Sequence, residues 1–133
     1  MPLFDCIIFG DILEHLYDPT IVLNDFKSKL KEKGRIIISL PNIRHIELFI
    51  QVYLYGTFPQ NKRGIFDRTH LRWFTKKDCY AMLKNCNLSL IKYDRNLRAR
   101  DKMGSKFDWK YNIVKFFSKD LVTFQHIIVC THA

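Results

Sequence analysis

The sequence has little glycine and no long apolar run, and each absence excludes a class of protein. Only five glycines occur in 133 residues, and no two are close enough to form a glycine-rich phosphate or cofactor loop. The best candidate for a membrane span, residues 46–55, is short and contains Glu47 and Gln51. The first residues lack the basic stretch of a secretory signal. We therefore expect a globular protein of the cytoplasm with no membrane span.

Cysteine is present, but without any spacing that predicts metal binding. The four cysteines contain no CxxC pair, and each falls on an apolar face. They are Cys6, Cys79, Cys86 and Cys130. We expect buried thiols in a reducing compartment, rather than disulfides or metal ligands.

Acidic residues are few compared with basic ones. There are 22 Lys and Arg against 13 Asp and Glu, which gives a formal charge of +9. The basic residues are concentrated at positions 61–77 and 92–110. Such a surface attracts nucleic acid, phosphorylated substrates or acidic lipid headgroups. A solvated basic face with no partner fits the composition equally well.

The opening pattern is typical of a βαβ unit. Residues 4–9 form a nearly continuous apolar run, which predicts a strand buried on both faces. Asp18 and Pro19 predict the start of a helix, and Gly34 predicts its end. A second buried strand follows at 35–40. A strand, a helix and a strand at this spacing indicate parallel pairing with a right-handed crossover.

Further helices and strands follow in the rest of the chain. Periodicity predicts an amphipathic helix over 46–54 and then a long basic, aromatic loop over 56–74. Thr75 and Asp78 resemble a capping box for another helix, which precedes a strand at 88–93. We expect six aromatic residues to pack in the core: Tyr53, Tyr55, Phe66, Trp73, Phe74 and Trp109.

The last part of the sequence is a basic insertion at 97–124 and a final strand. The insertion contains a predicted helix around 108–117, and the final strand covers 125–131. The strand predicted to be the most deeply buried, 4–9, begins almost at the first residue of the sequence. A bare strand edge there would favour pairing with another copy. We therefore expect a partial domain that lacks preceding strands and self-associates through this edge.

Three residues with chemically useful side chains follow the first strand. Asp11, Glu14 and His15 have the i, i+3, i+4 spacing that shares one face of a helical turn. Ligands of open parallel sheets bind beyond the carboxyl ends of the strands. Asn42 follows the second strand and should lie at the same edge. The sequence therefore predicts a binding site at this edge of the sheet.

Three strings carry a resemblance to a known family. They are FDCIIFGDILEHLYDPTIVL, GRIIISLPN and GIFDRTHLRWFT. Together they resemble a class I S-adenosylmethionine-dependent methyltransferase, from the fourth strand of that fold onward, and the match is best over positions 4–93. The resemblance implies that residues 1–133 form the C-terminal half of one domain. Its fold would be α/β, a partial doubly wound, Rossmann-like sheet, mostly parallel with an antiparallel last strand and with helices on both faces.

The same resemblance implies S-adenosylmethionine as the cofactor. Phe9, Gly10 and Asp11 would line the methionine and sulfonium end of this cofactor. The GxGxG loop that holds the methionine end in this family has no counterpart in the sequence. The acidic residue that binds the cofactor ribose is also missing. We therefore expect this chain alone to bind the cofactor weakly and to be inactive.

Glu14, His15 and His70 are the candidate catalytic residues. Either histidine could act as the base for an acceptor hydroxyl. The ubiquinone-biosynthesis and small-RNA 2′-O-methyltransferases bind a divalent ion through a carboxylate, a Glu-His pair and a distant histidine. Asp11, Glu14, His15 and His70 fall at comparable positions, which implies a site for Mg²⁺ or Mn²⁺. The alternative is structural, with Glu14 capping a helix or pairing with arginine and His15 packed beside the sheet.

The candidate substrate-binding residues are Asn42, Arg63, Arg68 and Arg72. The arginines lie in the 56–74 loop and could hold a phosphate or carboxylate of the acceptor. The alternative is that Arg68 and Asp67 only hold the loop in place. Three functions remain open: O-methylation of a small molecule or glycan, methylation of RNA, and a non-catalytic remnant that acts as an interaction module.

Overall fold

The computed structural model describes residues 2–133, which form a four-stranded sheet with helices packed against it. The strands are β1 Phe4–Gly10, β2 Leu30–Pro41, β3 Leu88–Leu97 and β4 Thr123–His132, in the order β1-β2-β4-β3. β1 and β2 are parallel, whereas β4 is antiparallel to both β2 and β3. The first three strands therefore point the same way. The predicted α/β class and the antiparallel last strand are confirmed.

Four helices connect these strands. They are α1 Pro19–Lys27, α2 Ile46–Leu48 (which continues as a π-helix, Phe49–Leu54), α3 Lys76–Asn85 and α4 Trp109–Phe117. Short 3₁₀ helices cover Leu13–His15 and Lys119–Val122. None of the helices formed by residues 2–133 has the length and apolar character needed to cross a membrane.

The predicted helix starts are confirmed by their caps. The Asp18 carboxylate accepts hydrogen bonds from the backbone N–H groups of Thr20 and Ile21. The Thr75 and Asp78 side chains form the reciprocal capping box. Such caps satisfy N–H groups that have no partner inside the helix. Local signals in the sequence were therefore sufficient to place both starts.

The predicted end of α1 was wrong. The helix ends at Lys27, and Leu30 already pairs with Phe4 in the sheet. The Phe4 N–H donates to the Lys29 carbonyl at 2.8 Å, which requires extended backbone where helical periodicity predicted another turn. Gly34 accordingly lies inside β2.

The main core lies on one face of the sheet. Phe9 of β1 and Ile38 of β2 pack with Leu23 of α1 and Met82 of α3 in a single buried cluster. The Lys27 Nζ atom of α1 donates to the Cys86 carbonyl behind α3 at 2.6 Å, so these two helices are neighbours. Helices were expected on both faces, but among residues 2–133 both core helices share one face.

A second, smaller cluster lies at the carboxyl edge of the parallel strands. Phe66 of the long loop and Phe124 of β4 are buried there. Leu48 of α2 packs against them, so α2 contributes to this edge. The loop residues of this cluster hold the 56–74 segment close to the predicted site.

The prediction that β1 is buried on both faces was wrong. Its burial alternates, and Phe4 and Ile8 are 46% and 66% exposed. Cys6 shares this face and is exposed, whereas the other three cysteines are buried as expected. Within residues 2–133, α1 covers only the Phe9 side of β1. A continuous apolar run cannot show which of its two faces has a partner.

The expectation for the aromatic residues was right for Phe66 and Phe74, which are buried. It was wrong for four others, which are exposed by 47% to 73%. They are Tyr53, Tyr55, Trp73 and Trp109. The apolar stripe predicted for the 46–54 helix likewise faces solvent at Phe49. Helical periodicity was present there, but the stripe does not face the main core.

Candidate functional site

Three strand ends meet at the predicted edge of the sheet. Asp11 follows β1 in a left-handed conformation with φ 50°, which Asp adopts more readily than most residues. The Gln125 side-chain amide of β4 donates to both Asp11 carboxylate oxygens at 2.8 and 2.7 Å. The Ser39 hydroxyl of β2 donates to the same carboxylate at 3.0 Å. Both oxygens of the Asp11 carboxylate therefore already accept hydrogen bonds from neighbouring strands.

The next residues form the short 3₁₀ helix that carries Glu14. Leu13 is fully buried in the main core, which holds the helix against the sheet. The Glu14 side chain is turned inward and is only 1% exposed. The Glu14 carbonyl accepts hydrogen bonds from the backbone N–H groups of Leu71 and Arg72 at 2.8 and 3.0 Å. The long loop is therefore bound to this helix beside its acidic side chain.

These contacts bring Glu14, His15 and His70 together. The Nε2 atoms of His15 and His70 each lie 3.9 Å from Oε1 of Glu14. The two imidazole rings meet edge to face, with centroids 4.7 Å apart. One donor atom from each of the three residues lies within 4.8 Å of the others. Asp11, the fourth candidate ligand, lies outside this group.

The buried polar atoms of this cluster lack hydrogen-bond partners. Among residues 2–133, neither carboxylate oxygen of Glu14 has one, and neither does Nδ1 of His70. Burial raises the pKa of Glu14 from 4.5 to about 7. Burial, and then the neighbouring His15, lower the pKa of His70, which favours the neutral form of its imidazole. Buried polar groups without partners are rare in native proteins, and an ordered water, a bound ion or a functional role accounts for them.

The orientation of His15 is set by the long loop. Its Nδ1 lies 3.2 Å from the Thr69 carbonyl oxygen and 3.0 Å from the Thr69 hydroxyl. The Thr69 hydroxyl in turn donates to Asp67 at 2.6 Å. If the Nδ1–H donates to the Thr69 carbonyl, the lone pair is on Nε2, which faces Glu14. Histidine ligands of metals usually have this second hydrogen bond on the outer nitrogen.

One carboxylate and two imidazoles form a donor set suited to a divalent cation. Mixed oxygen and nitrogen ligands are accepted by Mn²⁺ and Fe²⁺, and carboxylates by Mg²⁺. A cation would also compensate the buried Glu14 charge, which no hydrogen bond now stabilises. The three side chains therefore fit such an ion.

A cavity of about 340 Å³ opens beside this cluster. Five of the predicted residues line it: Asp11, Glu14, His15, Arg63 and His70. The lining residues that were not predicted include Asp67, Arg98, Asp101, Met103 and Gln125. Three of the latter come from the 97–124 insertion, which matched no motif. The sequence could have placed Gln125 at the site, because this residue begins the predicted final strand. An antiparallel strand begins at the edge of the sheet where its parallel neighbours end.

Other predicted substrate residues lie elsewhere. The Arg72 guanidinium donates twice to the Tyr17 carbonyl, at 3.1 and 2.7 Å. Arg68 is exposed and is not part of the cavity wall. The Asn42 amide is buried and donates to the Asp120 and Thr123 carbonyls at 2.7 and 2.8 Å. Arg72 and Asn42 therefore connect backbone segments.

The predicted cofactor residues follow one another at the end of β1, but they differ in exposure. Phe9 is buried and meets the Phe26 ring of α1 edge to face, at 5.5 Å between centroids. Gly10 is exposed, and no atom lies within 4 Å of the position that a Cβ would occupy. Only Gly10 and Asp11 therefore present an open surface beyond the strand.

The comparisons with known proteins agree with the fold described above. A family model described as a methyltransferase domain matches residues 2–93, and the chain therefore belongs to the methyltransferase domain family. Its fold is that of the class I S-adenosylmethionine-dependent methyltransferases. A search of curated proteins found no match.

Several solved structures share the fold at low sequence identity. A possible histamine N-methyltransferase from Thermotoga maritima has a TM-score of 0.62 at 11% identity, over 100% of this chain and 59% of that one. Magnesium protoporphyrin IX methyltransferase from Synechocystis PCC 6803, with bound SAH, has a TM-score of 0.58 at 12% identity, over 100% and 47%. The chain thus spans about half the length of these proteins.

Proposed function

We propose that this chain forms the acceptor side of an S-adenosylmethionine-dependent methyltransferase that methylates a hydroxyl group of a small molecule or glycan. In this proposal Glu14, His15 and His70 hold a divalent metal ion. The observation that carries it is the Glu14 carboxylate, which is buried, lacks hydrogen bonds and faces two imidazoles. Such a group is costly to bury unless a cation or a proton compensates it.

A bound Mg²⁺ or Mn²⁺ would orient an acceptor hydroxyl and make it more acidic. The residues of this chain account for the rest of the proposed role. Glu14 supplies the negative charge, and the Thr69 contacts fix the ring of His15. The long loop, bound to the Glu14 carbonyl through Leu71 and Arg72, keeps His70 against the cluster. Methyl transfer then depends on alignment and on exclusion of water.

The cofactor would lie beyond β1, beside this cluster. Gly10 and Asp11 are exposed there, and the absence of a side chain at Gly10 leaves room for a close approach. The 133 residues contain no glycine-rich loop that could hold the methionine end. We therefore propose that these residues alone bind S-adenosylmethionine weakly and do not catalyse methyl transfer.

The charge of the cavity wall favours an acceptor that carries a phosphate or carboxylate. Arg63 and Arg98 line the cavity, and no ion pair involving either occurs among residues 2–133. Guanidinium groups suit such anions because they offer parallel N–H donors. Asp67 and Asp101 also line the wall, which limits the affinity for a long polyanion.

RNA is the second candidate acceptor, and the net charge of +9 favours it. Binding that weakens steeply with salt, and that a phosphorylated sugar does not compete for, would support RNA. A non-catalytic interaction module is the third candidate, because β1 has an open edge within the described residues and an exposed apolar face. A concentration-dependent dimer that responds to no divalent ion would support that function.

The test is thermal unfolding with and without Mn²⁺, in wild type and three variants. Mn²⁺ in about 100-fold excess over its Kd should raise the Tm of wild type by about 8 °C. Glu14→Gln should abolish the shift, and His70→Ala should reduce it. Asp11→Asn is the matched control and should retain it, because Asp11 lies outside the group.

A wild-type Tm that responds to no divalent ion would exclude the metal. General-base catalysis by His15 or His70, with Glu14 protonated, would then be the remaining form of the proposal. S-adenosylmethionine should shift the Tm by less than the error of the measurement. A shift of several degrees would contradict the expected weak cofactor binding.

A further inference from the structure

Helix α4 has its apolar face on the outside. Trp109, Ile113 and Phe116 have the i, i+4, i+7 spacing of one helical stripe, and Phe117 lies beside it. Their exposed fractions are 68%, 50%, 85% and 79%. No residue of α4 is buried. Because cores normally take such a stripe, its exposure indicates an interaction surface.

The opposite face of α4 is held against the protein by polar contacts. Tyr111 lies beside the Arg100 guanidinium, which forms an ion pair with Glu47 of α2 at 2.6 Å. The Lys115 ammonium lies over the Phe107 ring, 5.1 Å from its centroid. Rotating α4 to bury its aromatic stripe would therefore move Tyr111 away from Arg100.

The segment around α4 is strongly basic. Residues 97–119 contain seven basic residues, Arg98, Arg100, Lys102, Lys106, Lys110, Lys115 and Lys119, against two acids. Both acids are engaged: Asp108 caps α4, and Asp101 accepts from the Ile65 N–H. Lys106 and Lys110 are exposed beside the stripe. An aromatic face flanked by lysines is the composition of helices that lie at membrane surfaces.

The position of α4 keeps this face free within the fold. α4 connects β3 and β4, at the end of the sheet opposite to β1. A strand that paired with the open edge of β1 would lie at the other end of the sheet. Met103, 76% exposed, precedes α4 and lines the cavity, so the basic segment continues to the rim of the candidate site.

We propose that α4 docks this protein onto an anionic lipid bilayer. The aromatic stripe lies at the boundary between headgroups and acyl chains, and the flanking lysines contact anionic headgroups. This is binding to a surface, since no helix of residues 2–133 is long and apolar enough to span a membrane. The proposal goes beyond the proposed function and does not depend on the metal, because it rests on the composition and exposure of α4.

The experiment is co-sedimentation of the chain with phosphatidylcholine vesicles, with and without phosphatidylglycerol. Wild type should bind the anionic vesicles and bind neutral ones at least about tenfold more weakly. Phe116→Ser combined with Phe117→Ser should remove binding. Ile21→Ser, a control that is 68% exposed on α1, should bind like wild type. All of these side chains are exposed, so the Tm of each variant should stay within a few degrees of wild type.

A pair of charge reversals tests the electrostatic part. Lys106→Glu with Lys110→Glu should weaken binding to anionic vesicles by about tenfold or more, because each lysine contributes about fivefold. The matched control, Lys33→Glu with Lys84→Glu, reverses two exposed charges outside the segment. The logarithm of its loss in affinity for anionic vesicles should be less than half of that for the Lys106/Lys110 variant.

Three results would overturn the proposal. The first is no binding to anionic vesicles by wild type. The second is equal binding by the Phe116/Phe117 variant and the Ile21 control. The third is a concentration-dependent dimer that the Phe116/Phe117 variant abolishes while vesicle binding is absent, since a second copy would then be the occupant of this face.

Discussion

The Nε2 atom of His70 lies 3.9 Å from Oε1 of Glu14, and both side chains are buried. This spacing is held by the backbone, because the Glu14 carbonyl accepts the N–H groups of Leu71 and Arg72 directly after His70. One residue therefore binds the long loop through its main chain and faces the histidine of that loop through its side chain. A variant of the Glu14 side chain can thus change the cluster without releasing the loop.

The first prediction concerns the pH dependence of stability without divalent ions. The pKa of Glu14 is about 7 in the folded chain and 4.5 in the unfolded reference. Well below pH 4.5 the Glu14 carboxyl is protonated in both the folded and the unfolded chain, and it does not change the free energy of unfolding. As the pH rises towards 7, the unfolded chain ionises first and stability falls. Glu14→Gln should therefore be more stable than wild type by up to about 3 kcal/mol near pH 8, and equal near pH 4.

Urea unfolding in the presence of a chelator measures this difference. Glu32→Gln, at an exposed position, is the control and should match wild type at both pH values. A Glu14→Gln variant that is less stable than wild type near pH 8 would show that the carboxylate is well solvated or paired in the folded chain.

The second prediction concerns the ion pair under the insertion. Arg100 donates to both carboxylate oxygens of Glu47, at 2.6 and 3.0 Å, and Glu47 is only 4% exposed. Arg100→Met should lower the free energy of unfolding by about 3 kcal/mol, because it leaves a buried charge with only the hydrogen bonds from Gln51 and from the Asp101 N–H. Adding Glu47→Gln should restore most of this loss.

Arg44→Met is the matched control for that pair. The Arg44 guanidinium is 56% exposed and lies 3.4 Å from Asp120, so its loss should cost less than about 1 kcal/mol. Denaturant unfolding compares the variants. Equal losses for Arg44→Met and Arg100→Met would show that the Glu47 pair is as weak as a surface pair.

The third prediction distinguishes the four thiols. Cys6 is exposed on β1, whereas Cys79, Cys86 and Cys130 are buried. Burial also raises the pKa of Cys79 and Cys130 to about 12, which suppresses their thiolates. A thiol reagent should modify one cysteine of the native chain rapidly and all four in denaturant. A native chain of Cys6→Ser that still reacts rapidly would place another thiol at the surface.

Much of the fold was predictable because its signals are local. The caps of α1 and α3 depend on single side chains within one turn, and the alternation of helices and strands follows from periodicity. The end of α1 was not predictable, since Leu30 satisfies helical spacing equally well and only pairing with Phe4 makes it part of a strand. The prediction that β1 is buried on both faces was wrong for a related reason: whether a face of a strand is covered depends on residues distant in the sequence.

The candidate site was predicted in part for the same reason. Glu14 and His15 are adjacent to a strand end, and the family resemblance added His70. The resemblance also implied Asp11 as a fourth ligand, but in the structure the Asp11 carboxylate accepts hydrogen bonds from Ser39 and Gln125. Arg98 reaches the cavity from an insertion without any motif, so only tertiary structure could place it there.

The most direct measurement is pulsed electron paramagnetic resonance of Mn²⁺ added to the chain. Bound Mn²⁺ should show couplings to the nitrogens of two histidines, since His15 and His70 both present Nε2 to the cluster. His70→Ala should leave the coupling of one histidine, and Glu14→Gln should release the ion to solution. A spectrum of hexaaqua Mn²⁺ alone with wild type would contradict a metal site at Glu14, His15 and His70.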